Sequence, residues 1–596
     1  MGLTPSQEAA VVYDRNLIIF AGPGSGKTAT SVMKGARILS QQESRLCMIT
    51  FTTAGAGEMQ VRMAADFYKR GQHLPASRLT TGTFHALTLR HYNLHAKEKR
   101  KLMSPPARAG LLSSMLAHLE PAERSEYSLS LEKYQGSLRP ERLEFPAGIA
   151  DFIDEYQQRL RTVNAIDLAG TMRECVRGMQ QGTIPLFQLT HMIGDEMQDA
   201  DEIQLELMLL HAKSGVITTL VGDDDQTIYE WRSALGYEGL MHFARETGAK
   251  TITLAENFRS HSEIVLHAQM LISHNNPERV DKNPRAVRGP GGQIGMTSTS
   301  DIVRECANIA RAIYLHRKEG ESIAVLARSN MELMLMEQAL SGHQSDDKEP
   351  ASILYKRDGQ SMWQTPEVSA LVCLLQALLK GQTSDLVAVL GLLKVSPANR
   401  ARLEHALGST CSAFLDGHIP LEINSAPKEE LAEIKSLIEV TKRCRQHIRK
   451  GEIPFAIHAA VERVRQLLKQ QPRARPKQID ALMSAASSVL DALKGTLSKR
   501  LATISRMQDS EADPSAVRLM TMHSSKGLEF DLVFMLNCSD PDDGSTMFSA
   551  HPERRLFYVG ITRAKSRLVV SYSGKPVRFI AEACLPPHHS IDSILA

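Results

Sequence analysis

Apolar positions along the chain follow two patterns. One is a short, unbroken, β-branched run closed by glycine or acidic residues. The other is a long Leu- and Ala-rich stretch at helical spacing. Asn16 to Phe20 is a run of the first kind, as expected of a strand buried on both faces of a parallel sheet. Glycines follow, and the spacing then predicts a helix from about Lys27 to Leu39. Phe187 to Asp199 reads as a second such strand, closing on Asp195-Glu196. Thr219 to Ala234 reads as a third, closing on a polar cluster. Near the far end, "ERRLFYVGITRAKSRLVVSYS" places Arg563 in a turn or helix ahead of another β-branched strand. Helical spacing with Pro breaks fills the tract from "HYNLHAKEKRKLMSPPARAGLL" to "RECVRGMQQG", and residues 366–504 are helical in period throughout. "RAVRGPGGQ", from Arg285, reads as a linker and "SGHQSDDKEPAS", from Ser341, as a polar loop. Thr4-Pro5 predicts a helix start. Strands alternating with helices imply an α/β protein with parallel sheets.

The stretch "IIFAGPGSGKTAT", Ile18 to Thr30, carries the first candidate chemistry. Gly22, Gly24 and Gly26 allow backbone angles that other residues avoid, and with Ser25 they let N–H groups approach a ligand closely. The helix that follows points its positive N-terminus at the same place. Lys27 adds a formal charge, and Thr28 a hydroxyl suited to Mg²⁺. Together they form a polyphosphate cradle, with Ala21 where the usual pattern begins with Gly. Ligands of open α/β sheets bind beyond the carboxyl ends of the strands. There Asp195 would hold Mg²⁺, and Glu196 would orient or deprotonate an attacking water. Gln226 would sense a γ-phosphate. Arg259, in "LAENFRSHSEI", and Arg563 are positive groups able to reach a transferring phosphoryl group. Tyr229, Trp231 and Arg232 follow in quick succession, and only two Trp occur in the chain. Such a cluster suits stacking on unpaired bases, or an ordinary aromatic core.

Composition narrows the class. A chain of 596 residues is too long for one core, so several domains are expected. The net charge of +3 is spread without long blocks of one sign, so any polyanion site is local. Eight scattered cysteines without a C-x-x-C pair argue against a zinc or disulfide framework and fit a reducing, cytoplasmic setting. No apolar run is long enough to span a bilayer, and no membrane partner is expected. A plain nucleotide-binding module or a P-loop kinase does not account for the paired acids, the Gln226 cluster and two remote arginines.

With these residues assembled, the chain resembles the UvrD/Rep/PcrA group of superfamily 1 DNA helicases, as an ordered series of motifs over nearly its whole length. "LTPSQEAAV" resembles the adenine-reading Q motif, with Gln7, and "FAGPGSGKT" resembles motif I. "FTTAGAGEM", from Phe51, and "TGTFHALTLR", from Thr81, resemble the motifs that contact DNA. "GDEMQDADEIQ" is similar to motif II, "VGDDDQTIYEWRSA" to motif III and "ENFRS" to motif IV. "IAVLARSN", from Ile323, and "YKRDGQSMWQTPEV", from Tyr355, resemble segments leading into the family's inserted domain. "VRLMTMHSSKGLEFDLVF", from Val517, resembles motif V, and "ERRLFYVGITRAK" motif VI.

The resemblance implies two RecA-like P-loop domains with parallel sheets, each carrying a mostly helical inserted subdomain, with ATP at their interface. The first domain would be 1–87 plus 183–265 with insertion 88–182. The second would be 266–365 plus 505–596 with insertion 366–504. By matching position, Lys27, Thr28, Asp195, Glu196, Gln226, Arg259 and Arg563 would serve ATP, with Glu529 touching the nucleotide from motif V. Phe51, Thr83, His85, Tyr229, Trp231, Arg232 and His523 would line a single-strand track. The implied activity is ATP-dependent DNA helicase action in the 3′ to 5′ direction on single-stranded DNA and single-strand/duplex junctions. The alternative is a DNA-stimulated ATPase subunit that regulates or loads a partner such as a nuclease. Four positions depart from the family pattern: Ala29 for an Arg that packs on adenine, Phe258 for a stacking Tyr, Ala54 for a Lys, and Met197 for an aromatic. The basic, Pro-rich "KQQPRARPKQ", from Lys469, reads as a contact to duplex phosphates or as a solvated loop.

Overall fold

The computed structural model describes residues 2–116, 119–229, 233–277, 279–342, 353–358, 361–471, 474–508, 515–540 and 550–596. The chain forms two compact units. One comprises Met1–Gly292, Gly544–Thr562 and Glu582–Cys584; the other comprises Gln293–Asp543, Arg563–Ala581 and Leu585–Ala596. Each is α/β and is built on a six-stranded sheet.

In the first unit the strands are β1 (Leu17–Ala21), β2 (Leu46–Thr50), β3 (Leu79–Thr83), β4 (His191–Gly194), β5 (Ile217–Gly222) and β6 (Lys250–Leu254), in the spatial order β3-β2-β4-β5-β1-β6. Every pairing is parallel. All five residues of β1 and of β2 are buried, as their apolar runs require. The period of two divides β1 between two cores. Leu17, Ile19 and Ala21 pack with Val32, Ala36 and Leu39 of helix α2 (Lys27–Leu39). Ile18 and Phe20 face Val176, Leu207 and Phe243 on the other side. The predicted strand over Phe187–Asp199 is shorter than its apolar run. Only His191–Gly194 pairs, because Phe187 turns its N–H to His211 instead, and the chain leaves the sheet after Gly194.

Three more helices position the site. α1 (Pro5–Val12) starts where Thr4-Pro5 predicted, with the Thr4 side chain and Gln7 closing a capping box. α3 (Thr53–Lys69) follows β2, and α4 (Phe84–His95) follows β3. Further along, a separate helical core gathers Leu131, Ile149, Phe152, Ile153 and Tyr156.

In the second unit the strands are β7 (Gln293–Thr299), β8 (Ile323–Ala327), β9 (Tyr355–Arg357), β10 (Val517–Thr521), β11 (Phe530–Met535) and β12 (Ala564–Ser573), in the order β7-β12-β11-β8-β10-β9 and again all parallel. Helices from Pro366–Lys380 to Leu497–Gln508 intervene between β9 and β10 and bury their own apolar core around Trp363, Leu371, Leu437 and Val464. Of the predicted loop from Ser341, residues 343–352 lie outside the described residues. In the basic stretch from Lys469, residues 472–473 do so too, and Lys469 itself ends one helix before another begins at Pro476. Among the described residues no helix is long and apolar enough to cross a membrane.

His211 illustrates how tightly the first core is set. It is fully buried, its Nδ1 donates to the Leu207 carbonyl at 2.8 Å, and its Nε2 accepts the Phe187 N–H at 3.0 Å. That pairing requires the neutral ring, and burial lowers its pKa to about 4. The folded value lies below the unfolded one of roughly 6.5, so this group's contribution is intact above that pH and is lost as the pH falls toward 4. Acidification should therefore weaken the first unit by up to about 3 kcal/mol through this group. The unfolding midpoint of His211→Gln should fall less between pH 7 and pH 5 than that of the parent. An equal fall in both would contradict the assignment.

Candidate functional site

The loop between β1 and α2 forms an open cradle. Gly24 and Gly26 have φ of +69° and +79°, the left-handed region that glycine tolerates. A Cβ on Gly24 would also lie 2.5 Å from the Arg259 Cβ, so the loop packs directly on that arginine's segment. Two side chains hold the loop by its carbonyls. Asn257 donates to Pro23 O at 2.8 Å, and Gln7 donates to Ser25 O at 3.0 Å. Phe258 adds its N–H to Gly24 O at 2.8 Å, and the Ser25 hydroxyl closes on Gly22 O at 2.7 Å. With these carbonyls occupied, the first turn of α2 keeps its own N–H groups for an anion. Lys27 and Thr28 stand at that turn.

The acidic side of the site lies at the end of β4. Asp195 is buried, and Glu196 has φ of +56°, a conformation costing an L-residue roughly 1 kcal/mol or more. Glu196 faces the Lys27 ammonium at 3.4 Å. Burial alone would lower the Lys27 pKa; the charges of Glu196, Asp223 and Asp195 outweigh it and raise it. Burial, and then the charge of Glu196, push the Asp195 carboxyl up. A divalent cation would supply the positive charge that this carboxylate lacks, and the Asp195 carboxylate with the Thr28 hydroxyl offers the hard oxygen donors such an ion takes.

A buried amide ties this acidic end to the next strand. Gln198 donates from Nε2 to the Glu196 carboxylate at 2.6 Å and accepts the Asp223 N–H on Oε1 at 2.9 Å. Asp223 in turn accepts from Gln226 Nε2 at 2.6 Å. Gln198 and Asp223 are fully buried and Gln226 nearly so. Behind them Asp223, Asp224 and Asp225 bring their carboxylates within 4.8 Å of one another, close enough to hold a cation. The cation is the Lys282 ammonium, at 3.1, 2.6 and 2.7 Å from the three. Arg279 adds two hydrogen bonds of 2.8 Å to Asp225. Burial works against the charge on Lys282, but the three aspartates hold its pKa well above the usual lysine value.

The loop between β1 and α2 thus faces the acid pair that ends β4, and comparisons with known proteins show the family. Residues 3–245 match the UvrD/REP helicase N-terminal domain, and residues 252–575 match the UvrD-like helicase C-terminal domain. The chain belongs to the UvrD/Rep helicase family. It is 26% identical to "DNA helicase II" of Haemophilus influenzae over 95% of this chain and 85% of that protein. It is 26% identical to "ATP-dependent DNA helicase Rep" of Escherichia coli, covering 95% and 90% of the two chains. It is 25% identical to "ATP-dependent DNA helicase PcrA" of Staphylococcus epidermidis, covering 98% and 86%.

The motif residues of this UvrD/Rep-type chain fall in both units. Gln7, Gly22, Gly24, Ser25, Gly26, Lys27, Thr28, Asp195, Glu196, Gln226, Phe258 and Arg259 all belong to the first unit. Gln7 uses both ends of its amide internally, donating to Ser25 O and accepting the Thr4 N–H at 3.1 Å. Arg259 extends to the Thr562 carbonyl at 3.1 Å. Phe51, Thr83 and His85 converge at the carboxyl ends of the adjacent strands β2 and β3, where Thr50 pairs with Thr83. The Phe51 ring packs on Phe84 at 5.3 Å, Thr83 caps α4, and burial lowers the His85 pKa. Tyr229 is half-buried beyond β5; Trp231 and Arg232 lie outside the described residues. His523, Glu529 and Arg563 belong to the second unit. His523 lies in the turn after β10, Glu529 meets Lys565 at 3.3 Å, and the buried Arg563 donates to Leu528 O at 3.1 Å.

Sequence reading missed Gln198, Asn257, Arg279 and Lys282. The first two stood inside quoted motifs, but nothing in a motif says which polar residue grips the backbone. Gln198 fixes the Glu196 carboxylate without contributing to the grip on phosphates. Gln198→Ala should therefore lower nucleotide turnover by roughly tenfold or more while ATP affinity changes less than about threefold. Turnover and affinity falling together would show that the amide supports the cradle instead.

Proposed function

We propose that the chain is an ATP-driven motor on single-stranded DNA, a helicase or translocase that moves 3′ to 5′. The observation that carries this reading is the network joining Lys27, Glu196, Gln198, Asp223 and Gln226, buried at its last three members and half-buried at Lys27 and Glu196. It links the group that grips phosphate to those that would position water and sense the γ-phosphate. The proposed division is a first RecA-like domain of 1–87 and 183–265 with insertion 88–182, and a second of 266–365 and 505–596 with insertion 366–504.

In this reading the N–H groups at the start of α2 and the Lys27 ammonium take the β- and γ-phosphates, and a γ-phosphate oxygen replaces Glu196 as the partner of Lys27. Thr28 and Asp195 would hold Mg²⁺, whose chemistry is to neutralise charge on the phosphate oxygens. Glu196, released from Lys27 and still held by Gln198, orients the water and takes its proton. Gln226 contacts the γ-phosphate. Arg259 and Arg563 stabilise the charge that develops in transfer. Gln7 and Phe258 would meet the base, and Glu529 the nucleotide from motif V. Phe51, Tyr229 and Trp231 would stack on bases without reading them, with Thr83, His85, Arg232 and His523 along the same strand.

The test is ATP hydrolysis with and without single-stranded DNA. DNA should stimulate turnover strongly, and Lys27→Ala should reduce it by roughly 10²-fold or more. Strand displacement should follow on a duplex with a 3′ tail and fail on one with a 5′ tail. Hydrolysis indifferent to DNA would overturn the motor reading. Stimulated hydrolysis without displacement on either tail would overturn the helicase form and leave a DNA-stimulated ATPase that acts through a partner.

A further inference from the structure

The first unit has a second concave site, at the opposite end of its sheet. A half-open cavity of about 300 Å³ reaches Cys47 and Thr80, the second residues of β2 and β3. One wall is a single stripe of α4: Leu87, Arg90, His91, Leu94 and His95 recur at three- and four-residue spacing. This stripe is distinct from Phe84, Thr88 and Tyr92, the face that α4 buries in the core. The segment around Phe187 forms another part of the wall. The volume falls at the lower end of the range for small-molecule pockets.

Three features define what would fit. The lining is largely apolar, and Leu94 is 66% exposed although it borders the cavity. A ligand that covered Leu94 would remove its apolar surface from water. The Phe187 ring borders the cavity, with His91 near perpendicular to it at 4.7 Å and His211 tilted against it at 5.0 Å. The charge at the mouth is positive and unmatched. Arg90 and His95 make no hydrogen bond or ion pair among the described residues, and no acidic side chain lines the cavity. His91 differs: its Nε2 meets the Pro185 carbonyl at 2.6 Å, and burial lowers its pKa. Arg90 is thus the permanent charge of the site.

We propose that this cavity binds a small planar aromatic anion, an arene carboxylate or sulfonate. The ring lies among Leu87, Leu94 and Phe187, and the acid group pairs with Arg90. The site stands on its own geometry and does not rest on the motor reading. The phosphate cradle follows the carboxyl end of β1, and the cavity meets the amino ends of β2 and β3. With strands rising about 3.3 Å per residue, the length of a five-residue strand separates the two levels, so nucleotide and arene bind independently.

The test is a fluorescence titration of the full chain with 8-anilino-1-naphthalenesulfonate. One saturable site is expected, and saturating ATP with Mg²⁺ should leave its affinity unchanged. Leu94→Asp and Arg90→Glu, both at exposed positions, should each weaken binding by about tenfold or more without lowering the unfolding midpoint. 2-Naphthoate should displace the dye, and the neutral 2-naphthamide should do so far less well. Equal binding by the parent and both variants would overturn the proposal. So would displacement of the dye by ATP, or equal competition by acid and amide.

Discussion

One buried ammonium group balances the acidic core behind the candidate nucleotide site. Three consecutive aspartates at the end of β5 are almost wholly out of water, and Lys282 stands among them at hydrogen-bonding distance. Each buried ion costs several kcal/mol unless it is paired, and adjacent carboxylates resist ionising together. Lys282 and Arg279 outweigh that penalty at Asp225, whose pKa is lowered, whereas burial still holds the Asp224 carboxyl up. Asp223 accepts from Gln226 while its N–H is held by Gln198. Gln198 fixes Glu196, and Glu196 faces Lys27. In the chain of contacts from residue 282 to the candidate phosphate cradle, the links at Gln198 and Asp223 are out of water, and the Glu196–Lys27 end is half-buried.

The parallel sheet explains why these groups meet. Parallel strands gather all their carboxyl ends on one edge, and β1, β4 and β5 deliver the cradle, the acid pair and the Gln226 cluster there. β2 and β3 deliver Phe51, Thr83 and His85 to the same edge. The amino ends of β2 and β3 are left for other uses, and the cavity beside α4 lies there. A single helix thus has Thr83 and His85 at its start and the arene site at its end.

Much of this was legible in the sequence because it depends on local rules. The helix over Lys27–Leu39 needed only apolar spacing after glycines, and it was found at those bounds. The capped start at Thr4-Pro5 follows from the chemistry of two residues. The strand ending at Asp195 was overextended because Phe187 and Leu189 are apolar for a different reason: they line a cavity. Lys282 was illegible, because an isolated lysine in a polar segment gives no sign that the chain will fold it into an acidic core. Likewise Gln7 was read for a nucleotide base, whereas its contacts show a second task, closing the capping box and holding Ser25. Pairings between residues distant in sequence need the fold before they can be seen.

The most direct test of this charge balance is a double-mutant cycle of thermal unfolding on Lys282→Met and Asp224→Asn. Lys282→Met alone should lower the midpoint sharply, since removing one partner of a buried ion cluster costs about 3–5 kcal/mol. Asp224→Asn should change the parent little, and in the Lys282→Met background it should recover part of the loss. If Lys282→Met unfolds like the parent, or if Asp224→Asn has the same effect in both backgrounds, the ammonium is not what holds the site together.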